Sequence, residues 1–401
     1  MTDPRIHASF PRVQAPGTGR PAIQLTSGPA FNYPLYYYIP SITRDGRFLV
    51  HHQALDGQVQ LQLLDLVTGE TRRLTQGTAA ETWWRPWCVP SGGGVLDHRS
   101  VLNVARDEVI FFDGQDVRVT HLHTGHTRDL LRLPDHRIAI GQNCVTPDGR
   151  WFVHIHADRA RYEALFAGDP DYEGYWSRRE ACRDTRLEAV DLDTGERRTL
   201  LVIASPIHHV LAYDDRHLLF CHPTAENGML MTDLEGGWYT HLRTQDEQGG
   251  QICHFLGTAR GATYEVLWRT DRQRAGICDP FSRRTFELEL PADFGYVHTG
   301  RDPDGLLWLF ENHAATHDLH VLERHDPVAG DTWRALTGDW PTFGDPDGQK
   351  AHFHPQVVLG RRYVLMTVGD PATQTNQLVL LDIADVPATS GIPLLVDTVT
   401  G

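Results

Sequence analysis

The chain has 401 residues, with 52 acidic against 37 basic side chains and a formal net charge of −15. That balance, with no Lys/Arg-rich run, excludes general nucleic-acid affinity, and an anionic partner would need a locally positive pocket built from a metal ion or clustered arginines. The hydrophobic share of 40% supports a buried core, yet no apolar run reaches the roughly 18 residues that span a bilayer.

Glycine (36) and proline (24) are abundant, as in turn-rich β proteins. Met1–Phe10 carries neither an apolar segment nor a small-residue cleavage site, so it does not read as a secretory signal and the expectation is a cytoplasmic protein. The six cysteines stand without a Cys-x-x-Cys pair, which fits reduced thiols better than a disulfide framework. Cys221 and Cys253 read as core-facing strand residues.

In chain order, Pro21–Thr26 is a lone apolar strand (residues 20–27 with its flanks). The next feature is a turn followed by an apolar run, Thr43–Val50, which returns as Thr146–Val153, more loosely as Tyr213–Phe220, and again as Asp302–Leu309. Asp-Gly between apolar runs marks a tight turn, because glycine takes positive φ without steric cost. A strand, Thr-Gly turn and second strand follow at Leu63–Leu74, His121–Leu130 and Ala189–Leu200, with weaker copies at Asp279–Leu288 and Asp326–Leu336. Together these units repeat about every 50 residues, the period of four-stranded propeller blades.

The prediction is therefore an all-β fold. It is a single domain over 1–401, a seven-bladed β-propeller of four-stranded antiparallel blades. Inner-strand turns fall near 43, 100, 146, 213, 256, 302 and 355, with the second blade least defined. Residues 20–27 are expected to complete the last blade beside Gln377–Ile383 and close the ring. The segment 157–186 breaks the period; it is charged and aromatic, with helical spacing around Arg159–Phe166 and Tyr175–Cys182. It reads as an insertion in the third blade that either walls a pocket or is a solvated elaboration.

Chemistry concentrates in Gln349-Lys350-Ala351-His352-Phe353-His354-Pro355. On a strand, His352 and His354 would point to one face and Phe353 to the other, with Gln349 folding back from the Asp345–Gln349 loop. Two imidazoles and an amide oxygen make most of a ligand set for a borderline divalent cation. With 23 histidines in the chain, a water-facing His-rich strand entry is the competing reading. His209, His254, His298 and the His352/His354 pair recur near the inner strands of four consecutive blades, which gathers them at one mouth of the ring. Trp83-Trp84-Arg85-Pro86-Trp87 reads either as a sugar-stacking platform or as blade packing. There is no Gly-x-Ser-x-Gly elbow and no phosphate-binding Gly loop.

These residues carry a resemblance. Leu35–Gly46, the Leu64–Leu74 hairpin, Phe220-Cys221-His222 and Gln349-x-x-His352-x-His354-Pro355 are similar to motifs of the oligogalacturonate lyases, polysaccharide lyase family 22. His298 before Asp302–Gly305, and His254 before Gly261, resemble the segments that carry that family's remaining histidine ligand and a histidine implicated in catalysis. The resemblance implies a divalent metal, Mn²⁺ first, held by His298, Gln349, His352 and His354. It also implies β-elimination on a short acidic oligosaccharide, with His254 in proton transfer or substrate positioning. Tyr36, His209, Trp84 and Arg85 are then substrate-binding candidates.

One departure stands out. An arginine that the family places after its Cys-His loop aligns with Gly228, Pro223-Thr224 replaces a Glu-Gly, and Phe255-Leu256 replaces a Glu-Phe. Lys350, His222, His209 or an arginine of the 157–186 insertion is the expected substitute in proton transfer. The alternative is a propeller that binds uronate oligomers, or a protein partner, without cleavage.

Overall fold

The computed structural model describes residues 3–79, 93–165, 182–222, 228–244, 250–267, 272–313, 316–344 and 349–395, and of His222 the backbone alone. Seven antiparallel sheets follow one another in chain order around a ring, each built on a four-stranded meander. The second blade is regular: Val101–Asn103, Glu108–Asp113, Asp116–His121 and Thr127–Arg132 pair in sequence.

Ring closure is as expected. Pro21–Gln24 pairs with Thr375–Asp382, matching Ala22 to Leu381, Ile23 to Leu380 and Gln24 to Val379. Arg12–Gln14 then adds an unforeseen fifth strand at the outer edge. The seam joins the two ends of the chain by backbone hydrogen bonds, which ties the last blade to the first.

Local chemistry explains the repeats. The Thr43 hydroxyl bonds the Asp45 carboxylate at 2.6 Å and accepts from the Phe48 amide at 3.0 Å, and Gly46 sits at φ +77°. Thr146, Asp148, Gly149 and Trp151 repeat this arrangement. In the second hairpins, Asp65 and Asp191 each accept two amides of the Thr-Gly turn. Arg47 and Arg150, just after the Asp-Gly turns, close onto Asp65 and Asp191 at 2.8 and 2.7 Å. Both arginines are half-exposed, so these pairs fix register more than they add stability.

The apolar run after each Asp-Gly turn is the second strand of its blade. Phe48–Leu55 and Trp151–Asp158 each have a shorter strand on their inner side. The longer second and third strands are buried on both faces because neighbouring blades pack over them. The segment 157–186 leaves the third blade after its second strand. It begins with a short helix, Arg159–Ala164, whose first turn is capped by the Asp158 carboxylate accepting from the Arg161 amide. The sequence-predicted helical spacing at Tyr175–Cys182 lies almost wholly outside the described residues.

The centre of the ring is crossed by Tyr36–Ile39 of the first blade. Their rings touch His98, His209, His254, His298 and His354, which come from five other blades. Buried Gln356 pins this turn: its Nε2 donates to the carbonyls of Tyr36 (2.6 Å) and Ile39 (2.8 Å), and its Oε1 accepts from the Ser41 amide (3.1 Å). The tyrosine segment thus floors the mouth where the histidines meet.

Candidate metal centre and active site

The strand expected for His352 and His354 is absent. Gln349–Ala351 form one 3₁₀ turn, residues 352–355 are irregular, and the strand begins at Gln356. The two imidazoles still converge, with ring centroids 5.9 Å apart, because His354 adopts φ +47° and turns back. Phe353 does point away, stacking on His317 at 3.8 Å. His98 (φ +54°) and His254 (φ +46°, at a bulge) share the same left-handed backbone. Such conformations are uncommon without glycine and cluster where a side chain must be re-aimed.

His298 comes from the inner strand Tyr296–Thr299 of the sixth blade. Its ring lies 4.6 Å from His352, 5.2 Å from His354 and 4.1 Å from His254. Gln349 Oε1 lies 2.9 Å from His354 Nε2. The four residues that the resemblance assigns to a metal are therefore together and buried. Both ring nitrogens of His298 and Nδ1 of His354 are buried without a hydrogen-bond partner. A buried, unpartnered imidazole nitrogen is costly unless something binds it. Burial pushes His298 and His354 well below the usual imidazole range, so both are neutral, the form that donates to a metal.

Glu311 stands behind this group. It pairs in register with His298 on the neighbouring strand Trp308–His313. Its carboxylate is 3.1 Å from His352 Nδ1 and 2.7 Å from His317 Nε2, and it accepts the amides of Phe353 (2.8 Å) and His354 (3.1 Å). Burial alone would raise this carboxyl, but the hydrogen bonds from His317 and His352 hold it well below the usual range. A carboxylate on one imidazole nitrogen leaves the other as a basic, oriented donor.

His254 is bracketed. Nδ1 lies 2.7 Å from Glu265 Oε2 and Nε2 lies 2.9 Å from the Tyr296 hydroxyl. Burial pushes the Glu265 carboxyl up and the imidazole down, which disfavours a carboxylate facing an imidazolium at rest. Tyr296 in turn lies 5.0 Å from His298 and 5.4 Å from His352, ring to ring.

A third group lies across the mouth. Buried Asp97 accepts the Tyr33 hydroxyl at 2.7 Å, pairs with Lys350 Nζ at 3.1 Å and lies 3.6 Å from His98 Nε2. His98 touches His354, ring to ring at 6.0 Å. Lys350 therefore reaches the mouth as the partner of a carboxylate. Its ammonium already supplies the positive charge there, which argues against a second cation at Asp97. The Cys253–His254–Glu265 group is a poor metal site for a different reason: burial holds the Cys253 thiol protonated, and His254 has both nitrogens engaged.

The profile of the family described as "Oligogalacturonate lyase" matches residues 2–241, more than half of the chain. The chain belongs to the oligogalacturonate lyase family. An oligogalacturonate lyase from Dickeya dadantii (strain 3937) is 25% identical over 396 residues, covering 90% of this chain and 94% of that protein. The fold matches an oligogalacturonate lyase solved in complex with manganese, with TM-score 0.76 and 22% identity over 94% of this chain and 96% of the other. It also matches the Vibrio parahaemolyticus oligogalacturonate lyase, with TM-score 0.76 and 17% identity over 94% and 97% of the two chains. The profile match ends in the fourth blade, so the histidine cluster of blades five to seven rests on its own geometry.

The other sequence candidates are placed as follows. His209 is satisfied by its neighbours: it stacks on Tyr36, its Nε2 meets the Tyr36 hydroxyl at 3.1 Å, and its Nδ1 faces Cys221 Sγ at 3.5 Å. Tyr36 is buried and forms the floor. His222 ends the strand His217–His222 opposite Gly228, and its side chain is outside the description. Trp84 and Arg85 lie outside the described residues. At Gly228, a Cβ would come within 2.3 Å of the Arg243 carbonyl oxygen, so the backbone here excludes an arginine as well as lacking one. Cys221 and Cys253 are half-buried and pack at the edges of the core.

Sequence reasoning missed Glu311, Glu265, Tyr296 and the Asp97–His98 pair. Two signals were there. Trp308-Leu309-Phe310-Glu311 sets one acid in an apolar run, and Asp97-His98 stands just before the second inner strand, where other blades carry their histidines.

Proposed function

We propose that this chain is a metal-dependent lyase that cleaves short uronate oligosaccharides by β-elimination, leaving a 4,5-unsaturated uronate end. The observation that carries this reading is the meeting of His298, Gln349, His352 and His354 around unpartnered imidazole nitrogens, with Glu311 behind them. Family membership supports the reaction class, and the manganese in the solved relative supports Mn²⁺ as the ion.

The donor set of three imidazoles and one amide oxygen fits a borderline divalent ion. When bound, that ion supplies the positive charge that stabilises the charge building on the substrate carboxylate as its α-proton leaves. The chain's own residues do the rest. Glu311 orients His352. The tyrosine floor and the ring of blades exclude water from beneath the site. His254 is held by Glu265 on Nδ1 and by the Tyr296 hydroxyl on Nε2; with its ring proton on Nδ1, Nε2 takes the tyrosine proton as the tyrosine oxygen takes the C5 proton, and the imidazolium so formed rests against Glu265. The C5–H and C4–O bonds break, a C4=C5 double bond forms, and the departing sugar oxygen takes a proton from solvent.

Incubation with Mn²⁺ and di- or trigalacturonate tests this. Absorbance of the unsaturated uronate should rise, and EDTA should abolish the rise. The non-catalytic reading draws on Gly228, where the backbone excludes the family's arginine. Metal-dependent binding by calorimetry with no absorbance change would favour it.

A further inference from the structure

The tyrosine floor divides the channel in two. In each of several blades a histidine of the active mouth precedes, by a few residues along or beside the inner strand, a residue that lines a separate cavity: His98 before Asn103, His209 before Ala212, His254 before Gly257, His298 before Arg301. Neighbouring inner strands run parallel, as the Gln142–His209 and Arg301–Gln356 bridges record. The cavity therefore lies at the other end of the channel, beyond Tyr38–Pro40, with a volume of about 220 Å³.

Its wall is apolar except for Asn103, Thr146 and two arginines, Arg44 and Arg301. Arg301 Nε donates to the Tyr38 carbonyl at 3.2 Å, which fixes the guanidinium against the floor. Its terminal nitrogens, and the whole Arg44 guanidinium, make no hydrogen bond or ion pair among the described residues. The nearest acids in sequence have other partners: Asp302 Oδ2 accepts the Leu306 and Leu307 amides, each at 2.7 Å, and Asp45 Oδ1 accepts the Thr43 hydroxyl and the Arg47 amide. Arg47, Arg150 and Arg216 of the repeat turns close onto acids, whereas the two arginines at this cavity do not among the described residues. Burial pushes Arg301 down to about 10, a desolvation cost that an anion at the guanidinium would offset. Planar guanidinium groups recognise carboxylate and phosphate oxygens through paired N–H donors.

We propose that this far mouth is a second binding site, for one small oxyanion, lying on the opposite side of the tyrosine floor from the histidines. Its volume is below the roughly 300 Å³ at which drug-sized pockets begin, so it suits a single sugar acid or a free phosphate rather than an oligomer.

Calorimetry on the full chain in EDTA, with D-galacturonate and inorganic phosphate as separate probes, tests the site. At least one probe should bind with a stoichiometry of about one, and the preferred probe identifies the source of the oxyanion. Arg44→Ala, at an exposed position, should weaken binding about tenfold or more, and Arg301→Gln, which can keep the bond to Tyr38, should abolish it. His352→Ala, at the other mouth, should leave binding unchanged, which separates this site from the lyase reading. Absence of binding by both probes overturns the proposal. So does undiminished binding in Arg44→Ala, or loss of binding in His352→Ala.

Discussion

Glu311 and His352 form a carboxylate–imidazole pair, with Oε1 3.1 Å from Nδ1, inside a site where Glu311 is fully buried. The same carboxylate holds the backbone amides of Phe353 and His354, so one side chain sets both the tautomer of His352 and the path of the chain to His354. Replacing it with glutamine keeps the volume and sets an amide NH₂ against donors. Glu311→Gln should weaken metal binding about 10- to 100-fold with the fold retained. A metal titration followed by calorimetry, with circular dichroism as the fold control, checks this.

His254 acts on protons and not on the metal in this account. His254→Gln and Tyr296→Phe should each keep stoichiometric metal while kcat on trigalacturonate drops by about 10²- to 10⁴-fold. A variant that lost activity only because it lost metal would recover at high Mn²⁺. These should not.

Gln356 supports the floor. Its amide is the donor to two buried carbonyls and the acceptor for the Ser41 amide. Gln356→Leu strands the Ile39 carbonyl and the Ser41 amide and leaves the Tyr36 carbonyl only the Ile39 amide, and at about 1–3 kcal/mol for each buried unsatisfied group the loss should be at least about 2 kcal/mol. Urea unfolding should show a lower midpoint at unchanged slope.

The blade count and the ring-closing strand could be read from the sequence because each depends on local chemistry, and so could the meeting of Gln349, His352 and His354, which are close in the chain; His298, in another blade, needed the blade repeat to place it at the same mouth. Thr-x-Asp-Gly and Asp-x-x-Thr-Gly turns satisfy their own amides, and Gln-x-x-His-x-His is contiguous. What escaped depends on register between distant strands. Glu311 meets His298 only because their strands pair in that register, and Tyr296 meets His254 across 42 residues. The strand alternation invoked for His352 and His354 was the wrong cause for a correct convergence; a positive φ at His354 turns the ring instead, and nothing local in the sequence announces it. The Arg44–Arg301 cavity likewise needs the ring closed before it exists.

Several buried histidines make stability depend on pH. Burial pushes His51 down to about 4, and His52 and His154 down to about 3. The unfolded chain takes up these protons below pH about 6.5 while the fold does not, so stability is complete above that pH and is lost as pH falls toward 4. His154 is far from the metal residues in sequence and stacks on Phe152. His154→Leu should flatten the fall, with its stability relative to the parent improving by about 2 kcal/mol between pH 7.5 and pH 5. Urea unfolding at the two pH values measures the difference.

Metal content per chain, determined by mass spectrometry on protein reconstituted with Mn²⁺ and freed of excess ion, tests the central assignment most directly. The parent chain should hold about one ion. His298→Ala and His352→Ala, substituted in different blades, should each hold almost none at the same concentration. Stoichiometric metal in both variants would contradict the account.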